Sequence, residues 1–510
     1  MMASIYITTP IFYVNDLPHI GHAYTTLICD TFSKYYNLKG DSVLFTTGTD
    51  EHGLKVEKAA KIANKSPIQF VDEVSENFKK LTTRLEVDNT DFIRTTEDRH
   101  KKSASYFWNK LCENDQIYKG TYEGWYSVKD ESFYQEKELQ KEGKIYKTQD
   151  GSPVEWIKEE SYFFKLSRWE KNLLEFYKKH PDFIRPKSRM NEVISFVQSG
   201  LKDLSVSRTS FNWGINIPSN SNHIMYVWID ALTNYLTSLG YPNIEEKNMQ
   251  FWQNCIHIIG KDILKFHAVY WPAMLMAINY QLPKTIFAHG WWTNEGKKIS
   301  KSIGNTIDPN DMIEKYGLDQ FRYFLLREVP LGNDGDFSVD SLINRVNADL
   351  SNNLGNLVQR VVKFLNKNFD NIIPHSVKDD TSNINRCLKN GYDLIKIIDK
   401  KMSDFNISKC LEDIFLFIDE LNKFMDSSQP WNTFKENPQK AGRDLSMLIE
   451  CFRIIGIILQ PFIPIAAKNI LDILNIKNSE RKFDNLSLEF SVKKNHTIND
   501  PKQLFPRYEK

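Results

Sequence analysis

The sequence predicts an α/β fold: a parallel sheet split by a strand-rich insert and followed by an all-α domain. Three observations carry this. Strand-like runs alternate with helical periodicity at the start of the chain, the middle breaks into short aromatic runs punctuated by turn residues, and the last third carries a long apolar stripe of helical spacing.

Element by element, Ile5 to Thr9 reads as a strand, about Ile20 to Tyr36 as a helix and Ser42 to Thr47 as a second strand. Ser66-Pro67-Ile68-Gln69 has the form of a capping box with proline at the first helical position. Val71, Val74, Phe78, Leu81 and Leu85 follow at helical spacing, which places that helix on the sheet. From 118 to 222 the texture changes to runs such as Tyr122-Glu123-Gly124-Trp125-Tyr126 and Gln149-Asp150-Gly151-Ser152, with no long helix until Arg168. The α/β texture resumes at Met225-Tyr226-Val227-Trp228-Ile229-Asp230 and again at Cys255 to Ile259, so the sheet is interrupted and then completed. After Val339 the stripe Leu342, Val346, Leu350, Leu354, Leu357, Val361 and Leu365 marks helices.

Composition bounds the function. With 510 residues the chain has room for three or four domains; at 41% hydrophobic and 26% charged it falls outside the disordered, collagenous and coiled-coil classes. Lys+Arg 66 against Asp+Glu 65 leaves +1, so any nucleic-acid partner must be met by a local basic surface. Six cysteines without a CxxC pair suit a reducing compartment, and the N-terminus has neither the basic nor the apolar region of a secretory signal. The most apolar stretch, Ile454 to Ala467, contains Pro461 and Pro464 and is shorter than the ~20 residues a bilayer needs. A cytoplasmic protein with no membrane association is expected.

Two elements suggest chemistry. His19-Ile20-Gly21-His22 follows the first strand after a loop with Pro10 and Pro18, at a helix start; there, unpaired amides and the helix dipole favour phosphate and imidazoles can add donors. Two histidines at this spacing would equally serve to cap or pack a helix. Lys298-Ile299-Ser300-Lys301-Ser302 follows the strand Thr285 to His289 and the turn Asn294-Glu295-Gly296; two lysines beside glycines suit a loop that closes on polyphosphate, or a solvated basic turn.

In this order, with a sheet between them, the two elements resemble the HIGH and KMSKS signatures of class I aminoacyl-tRNA synthetases. Thr9-Pro10-Ile11-Phe12-Tyr13-Val14-Asn15, Gly48-Thr49-Asp50-Glu51-His52-Gly53, Tyr226-Val227-Trp228-Ile229-Asp230-Ala231 and Phe266-His267-Ala268-Val269-Tyr270-Trp271-Pro272 narrow the likeness to the methionyl-tRNA synthetase family, across essentially the whole chain. The resemblance implies a Rossmann-type catalytic domain in two halves, 1–117 and 223–338, an inserted connective domain at 118–222 and a helical anticodon-binding domain at 339–510. It implies a methionine–tRNA ligase that forms methionyl-adenylate from methionine and ATP with Mg²⁺ as substrate, then esterifies the 3′ end of tRNA(Met).

By the family pattern, His19, Gly21, His22, Lys298, Ser300 and Lys301 bind ATP, with His19, His22, Lys298 and Lys301 stabilising the adenylation transition state. No residue need act as a covalent nucleophile, because the methionine carboxylate attacks the α-phosphate. Asp50 receives the α-amino group. Ile11, Tyr13, Trp228, Ala231, Leu232, Tyr235, Ile263, His267 and Trp271 hold the thioether, and an aromatic slot suits that unbranched polarizable chain. Asn352, Asn356 and Arg360, at i, i+4 and i+8 away from the apolar stripe, together with Trp431 of Pro430-Trp431, match family contacts to the CAU anticodon, where unpaired bases stack and pair at their edges.

Many relatives carry zinc-binding CxxC knuckles in the insert. Here Ser127 and Asp130 stand where a cysteine pair would, and 118–222 contains no cysteine and one histidine, His180. A tetrahedral site needs about four Cys or His ligands, so no structural zinc is expected. An insert of about a hundred residues leaves little room for the editing module of Ile, Leu or Val enzymes, and a small-molecule nucleotidyltransferase has no use for the long helical domain. Without a further module after Leu504-Phe505-Pro506-Arg507, a monomer is expected.

Overall fold

The computed structural model describes residues 2–14, 16–127, 132–134, 136–143, 145–149, 151–299, 305–378 and 386–509. The chain divides into two compact units, one of Ser4–Pro18 and Leu44–His289, the other of Met1–Ala3, His19–Val43 and Gly290–Lys510.

The first unit is built on a seven-stranded sheet. Its order is Ile184–Arg185, Thr285–His289, Cys255–Gly260, Ser4–Thr8, Ser42–Asp50 and Phe12–Tyr13, with Asp91–Arg94 also paired to Ser42–Asp50. Ile256↔Thr285, Tyr6↔Cys255, Ile184↔Ile286, Tyr13↔Asp50 and Gly48↔Ile93 are all parallel pairs. Strands buried on both faces lose the in–out alternation, and Cys255–Gly260 and Thr285–His289 do so, being buried almost throughout and largely apolar apart from His257, Thr285 and His289. At Gly48 a Cβ would lie 2.0 Å from the Ile93 carbonyl oxygen, so these two strands approach only past a glycine.

Helix Pro67–Arg84 starts on the expected capping box: Ser66 Oγ accepts from Gln69 N at 3.4 Å and Gln69 Oε1 accepts from Ser66 N at 3.2 Å. Its Val71 and Phe78 pack with Phe12 and Phe92 of the sheet, the Phe12 and Phe78 rings stacking 5.7 Å apart. Helices Asp98–Glu113 and Val227–Thr237 pack together, and Phe107, Trp108, Tyr235 and Trp271 belong to the main core.

The insert carries an antiparallel sheet in which Ile117–Ser127 pairs with Glu155–Phe164 from Ile117↔Phe164 to Tyr126↔Glu155. Two features differ from the sequence expectation. Ile184–Arg185, inside the 118–222 span, leaves the insert's own sheet and forms the edge strand of the central one, because a two-residue strand has no periodicity to read. Where the α/β texture resumes, at Met225 to Asp230, the run holds a strand end and a helix start and adds nothing to the central sheet: Asn220–Met225 ends by pairing with Ser207–Arg208, and a helix starts at Val227 that is buried nearly all round and so shows no amphipathic signal.

The second unit contains helix Ile20–Leu38, a small sheet of Trp292–Asn294, Lys297–Lys298 and Gly335–Phe337, helices Pro309–Tyr316 and Leu318–Arg327, and the C-terminal helices from Val339 onward. All seven stripe residues from Leu342 to Leu365 are buried. Between Val346 and Gly355 the helix widens to π geometry, and there the stripe steps by four through Val346, Leu350 and Leu354. Arg322, wholly buried, pairs with Asp30 of helix Ile20–Leu38 at 2.8 Å and donates to the Phe462 and Pro461 carbonyls at 3.0 and 3.1 Å. Asp319 meanwhile accepts from Ala466 N at 2.5 Å at the start of helix Pro464–Ile473. Among the described residues no helix is long and apolar enough to cross a membrane.

Candidate active site

The first histidine element builds its own helix start. His19 is the N-cap of Ile20–Leu38; its Nδ1 accepts from Gly21 N at 3.0 Å, while His22 Nδ1 accepts from His19 N at 3.1 Å, and the two rings stack 3.9 Å apart. With both Nδ1 atoms accepting, the hydrogen-bond network assigns the ring proton to Nε2 in each neutral imidazole, so each Nε2 is a donor. A Cβ on Gly21 would sit 2.9 Å from the His19 ring, so glycine keeps that ring in place. The capping role that the spacing allowed is thus present for both side chains.

The lysine element follows from a two-residue hairpin. Glu295 and Gly296 both take positive φ, 52° and 73°, as a tight right-twisted hairpin requires, and Thr293 pairs with Lys298 across it. Asp336 pins the base, accepting from Thr293 Oγ1 at 2.6 Å and Gly296 N at 2.8 Å. The hairpin and the first helix belong together: Trp292 meets Tyr24 edge-on at 5.7 Å, and Ile20 N donates to the Ile307 carbonyl at 3.1 Å. Ser300, Lys301 and the side chain of Lys298 lie outside the described residues, as does Asp130 of the insert.

The amino-acid candidates gather in the sheet-bearing unit. Tyr13 and Asp50 are register partners, and Val14 N donates to the Asp50 carbonyl at 3.3 Å. Helix Val227–Thr237 carries half-buried Trp228 and buried Ala231, Leu232 and Tyr235; the π turn Phe266–Tyr270 carries buried His267. Trp228 stacks face to face on Phe266 at 3.7 Å and meets His267 edge-on at 6.1 Å. His267 Nδ1 lies 3.1 Å from the Ile263 carbonyl and its Nε2 2.7 Å from Tyr235 Oη, so Nδ1 donates and Nε2 accepts from the phenol. Burial lowers the His267 pKa to about 4, against the raising effect of the Ile263 carbonyl, so the ring is neutral at pH 7. Ile11, Tyr13, Trp228 and Ile263 are half-buried, whereas Trp271 is 0% exposed and backs Tyr235 at 6.3 Å from within the core. The group is aromatic and uncharged, with the Tyr235–His267 hydrogen bond inside it.

On the helical domain Asn352, Asn356, Arg360 and Trp431 are all exposed. Arg360 lies over the Trp431 ring at 5.6 Å from its centroid and pairs with Asp426 at 2.9 Å.

Several residues had no assigned role in the sequence reading. Phe266 carries the Trp228 stack. Asp230 is buried between His52 and His100, and Glu51 holds Arg94 with bonds of 2.6 and 3.0 Å. An acidic residue inside the apolar run of Val227–Thr237 was the available signal, because a buried carboxylate needs partners. Among the described residues no group of three or more His, Cys, Asp or Glu is arranged to hold a metal ion.

The fold is that of a class I tRNA synthetase, and likeness to known proteins specifies it. The family described as tRNA synthetases class I (M) matches residues 5–362, and the family described as anticodon binding domain of methionyl tRNA ligase matches 379–510. The methionine–tRNA ligase of Rickettsia bellii (strain RML369-C) is 52% identical over the full length of both chains, and that of Brucella suis biovar 1 (strain 1330) is 45% identical over 99% of this chain and 98% of its own. The Mycobacterium tuberculosis methionyl-tRNA synthetase in complex with methionyl-adenylate superposes with a TM-score of 0.96 at 40% identity, covering 99% of this chain and all of that one; its apo form gives 0.89 at 37% identity, covering 100% of this chain and 99% of that one. The chain belongs to the class I methionyl-tRNA synthetase family.

Proposed function

We propose that this chain carries out the methionine–tRNA ligase reaction in two steps, with its histidine and lysine elements serving ATP and the slot on Val227–Thr237 serving methionine. The ligase activity follows from family membership at about half identity over the full length. ATP, methionine and tRNA are its substrates, the last served by the helical anticodon domain. The observation that most supports the division of roles is the pair of imidazoles at a helix start, His19 capping Ile20–Leu38 and His22 bonded back to His19 N, with the rings stacked 3.9 Å apart.

In the first step the methionine carboxylate attacks the ATP α-phosphate and pyrophosphate leaves. Charge develops on phosphate oxygens, where His19, His22, Lys298 and Lys301 act as fixed donors and Mg²⁺ travels with the nucleotide; Gly21 and Ser300 complete the ATP contacts. Asp50 takes the α-ammonium, and Tyr235 and His267, neutral and hydrogen-bonded to each other, face the thioether with Ile11, Tyr13, Trp228, Ala231, Leu232, Ile263 and, from behind, Trp271. In the second step a ribose hydroxyl at the tRNA 3′ end attacks the activated carbonyl and AMP leaves. Asn352, Asn356, Arg360 and Trp431 read the anticodon.

The proposal extends to an enzyme without structural zinc, monomeric and cytoplasmic, with the domain division 1–117, 118–222, 223–338 and 339–510. ATP–pyrophosphate exchange across the twenty amino acids tests the central claim. Methionine is expected to drive exchange best, and a stronger response to any other amino acid refutes it.

A further inference from the structure

Asp230 is 1% exposed and shared by two imidazoles: His52 Nδ1 lies 2.6 Å from Oδ2 and His100 Nε2 lies 2.7 Å from Oδ1. A carboxylate only accepts, so both ring nitrogens donate. Burial pushes the Asp230 pKa up, but His52 and His100 outweigh it and hold the carboxyl at about 2, so it is charged in the folded protein. Burying that charge is costly, and apolar packing of the helix does not call for it.

The two bonds lead to different places. His100 stands on helix Asp98–Glu113, and its Nδ1 returns to Thr237 Oγ1, 3.2 Å away on the helix of Asp230 itself. His52 follows Asp50 by two residues. The backbone there is held from another side: Trp213 Nε1 donates to the Glu51 carbonyl at 2.5 Å, and Gly53 N donates to the Trp213 carbonyl at 3.0 Å. Asp230 therefore joins the segment that presents Asp50 to the helix that presents Trp228 and Tyr235.

We infer that Asp230 is a positioning residue for amino-acid selection, its bond to His52 setting the distance between the ammonium-binding Asp50 and the side-chain slot on Val227–Thr237. This rests on the functional reading given above. A ligand gripped at both ends is gauged by that distance, so the pair governs which chain length fits best.

The test measures exchange kinetics against methionine, ATP and ethionine, one methylene longer, with thermal unfolding of each protein. His52→Ala is expected to raise the methionine KM about tenfold or more, to leave the ATP KM within about twofold, and to narrow the preference for methionine over ethionine. His52→Asn, whose amide N–H stands near the Nδ1 position, is expected to restore most of the loss. His100→Ala removes a donor from the same carboxylate away from Asp50, so it is expected to lower the unfolding temperature while moving the methionine KM by less than about threefold. Should His52→Ala not fold, His52→Gln, with its amide at the Nε2 end, takes its place with the same expected loss. An unmoved methionine KM in the His52 variant, or an equal rise in His100→Ala, overturns the inference while the wild-type response to methionine stands. A wild-type protein that methionine does not drive overturns this inference and the functional reading together.

Discussion

Trp431→Ala is expected to lower tRNA charging while sparing adenylate formation. The ring is 37% exposed, stands on the seven-residue helix Pro430–Glu436 and carries the Arg360 guanidinium 5.6 Å from its centroid. Truncating a fully buried Trp costs ~3–5 kcal/mol; with more than a third of this ring in solvent the folding loss falls to ~2 kcal/mol or less. The Arg360 contact accounts for ~0.5–1 kcal/mol of that, as usual at an exposed site. A base stacked on the indole contributes ~1–3 kcal/mol, so charging efficiency should drop roughly five- to 150-fold. Exchange needs no tRNA and should change by less than about twofold. The assay compares exchange, charging and the thermal transition on one preparation. Unchanged charging of CAU-anticodon tRNA by a folded variant refutes the stacking role; an equal loss in exchange shows damage to the whole unit instead.

Lys301→Ala should slow methionyl-adenylate formation by ~10²- to 10³-fold in single-turnover measurements with little change in methionine affinity, and an equal loss of affinity would mark a structural role. Purified protein should contain well under one zinc per chain by metal analysis, and exchange should survive a zinc chelator once magnesium is restored; stoichiometric zinc would contradict this. For His267 the unfolded chain takes up a proton near pH 6.5 and the folded ring only near 4, so its contribution is complete above about 6.5 and lost as pH falls toward 4. Between pH 7 and 5 that amounts to ~2 kcal/mol, and denaturant titrations should show the acid loss smaller by about that much in His267→Gln; an equal loss in both proteins would exclude the buried neutral ring as its source.

What the sequence disclosed and what it hid follow physical lines. Local chemistry was legible: the Ser66–Gln69 box, the helix opening at His19 and the hairpin turn at Glu295-Gly296 are each settled within a few residues. The exposed set Asn352, Asn356 and Arg360 was legible because a helical stripe fixes its own opposite face. Partners far apart in the chain were not. Ile184–Arg185 belongs to the central sheet only because Ile286–Phe287 lies beside it, and Asp230 meets His52 across 178 residues. Trp271 illustrates a third limit: an aromatic in a motif can line a site or back it, and spacing does not distinguish the two.

The widened turns between Val346 and Gly355 bear on the rotational phase that this helix must keep. A π stretch is an α-helix that has absorbed surplus residues, so its widened turns carry extra chain without throwing what lies beyond them out of phase. Ordinary turns have no such slack: deleting one residue at the start of Asn356–Phe369 would swing everything beyond it by ~100° about the axis. Val361 and Leu365 would leave the core, and Arg360 would turn away from Trp431 and Asp426. A one-residue deletion between Val346 and Gly355 should therefore lower the unfolding temperature less than one at the start of Asn356–Phe369.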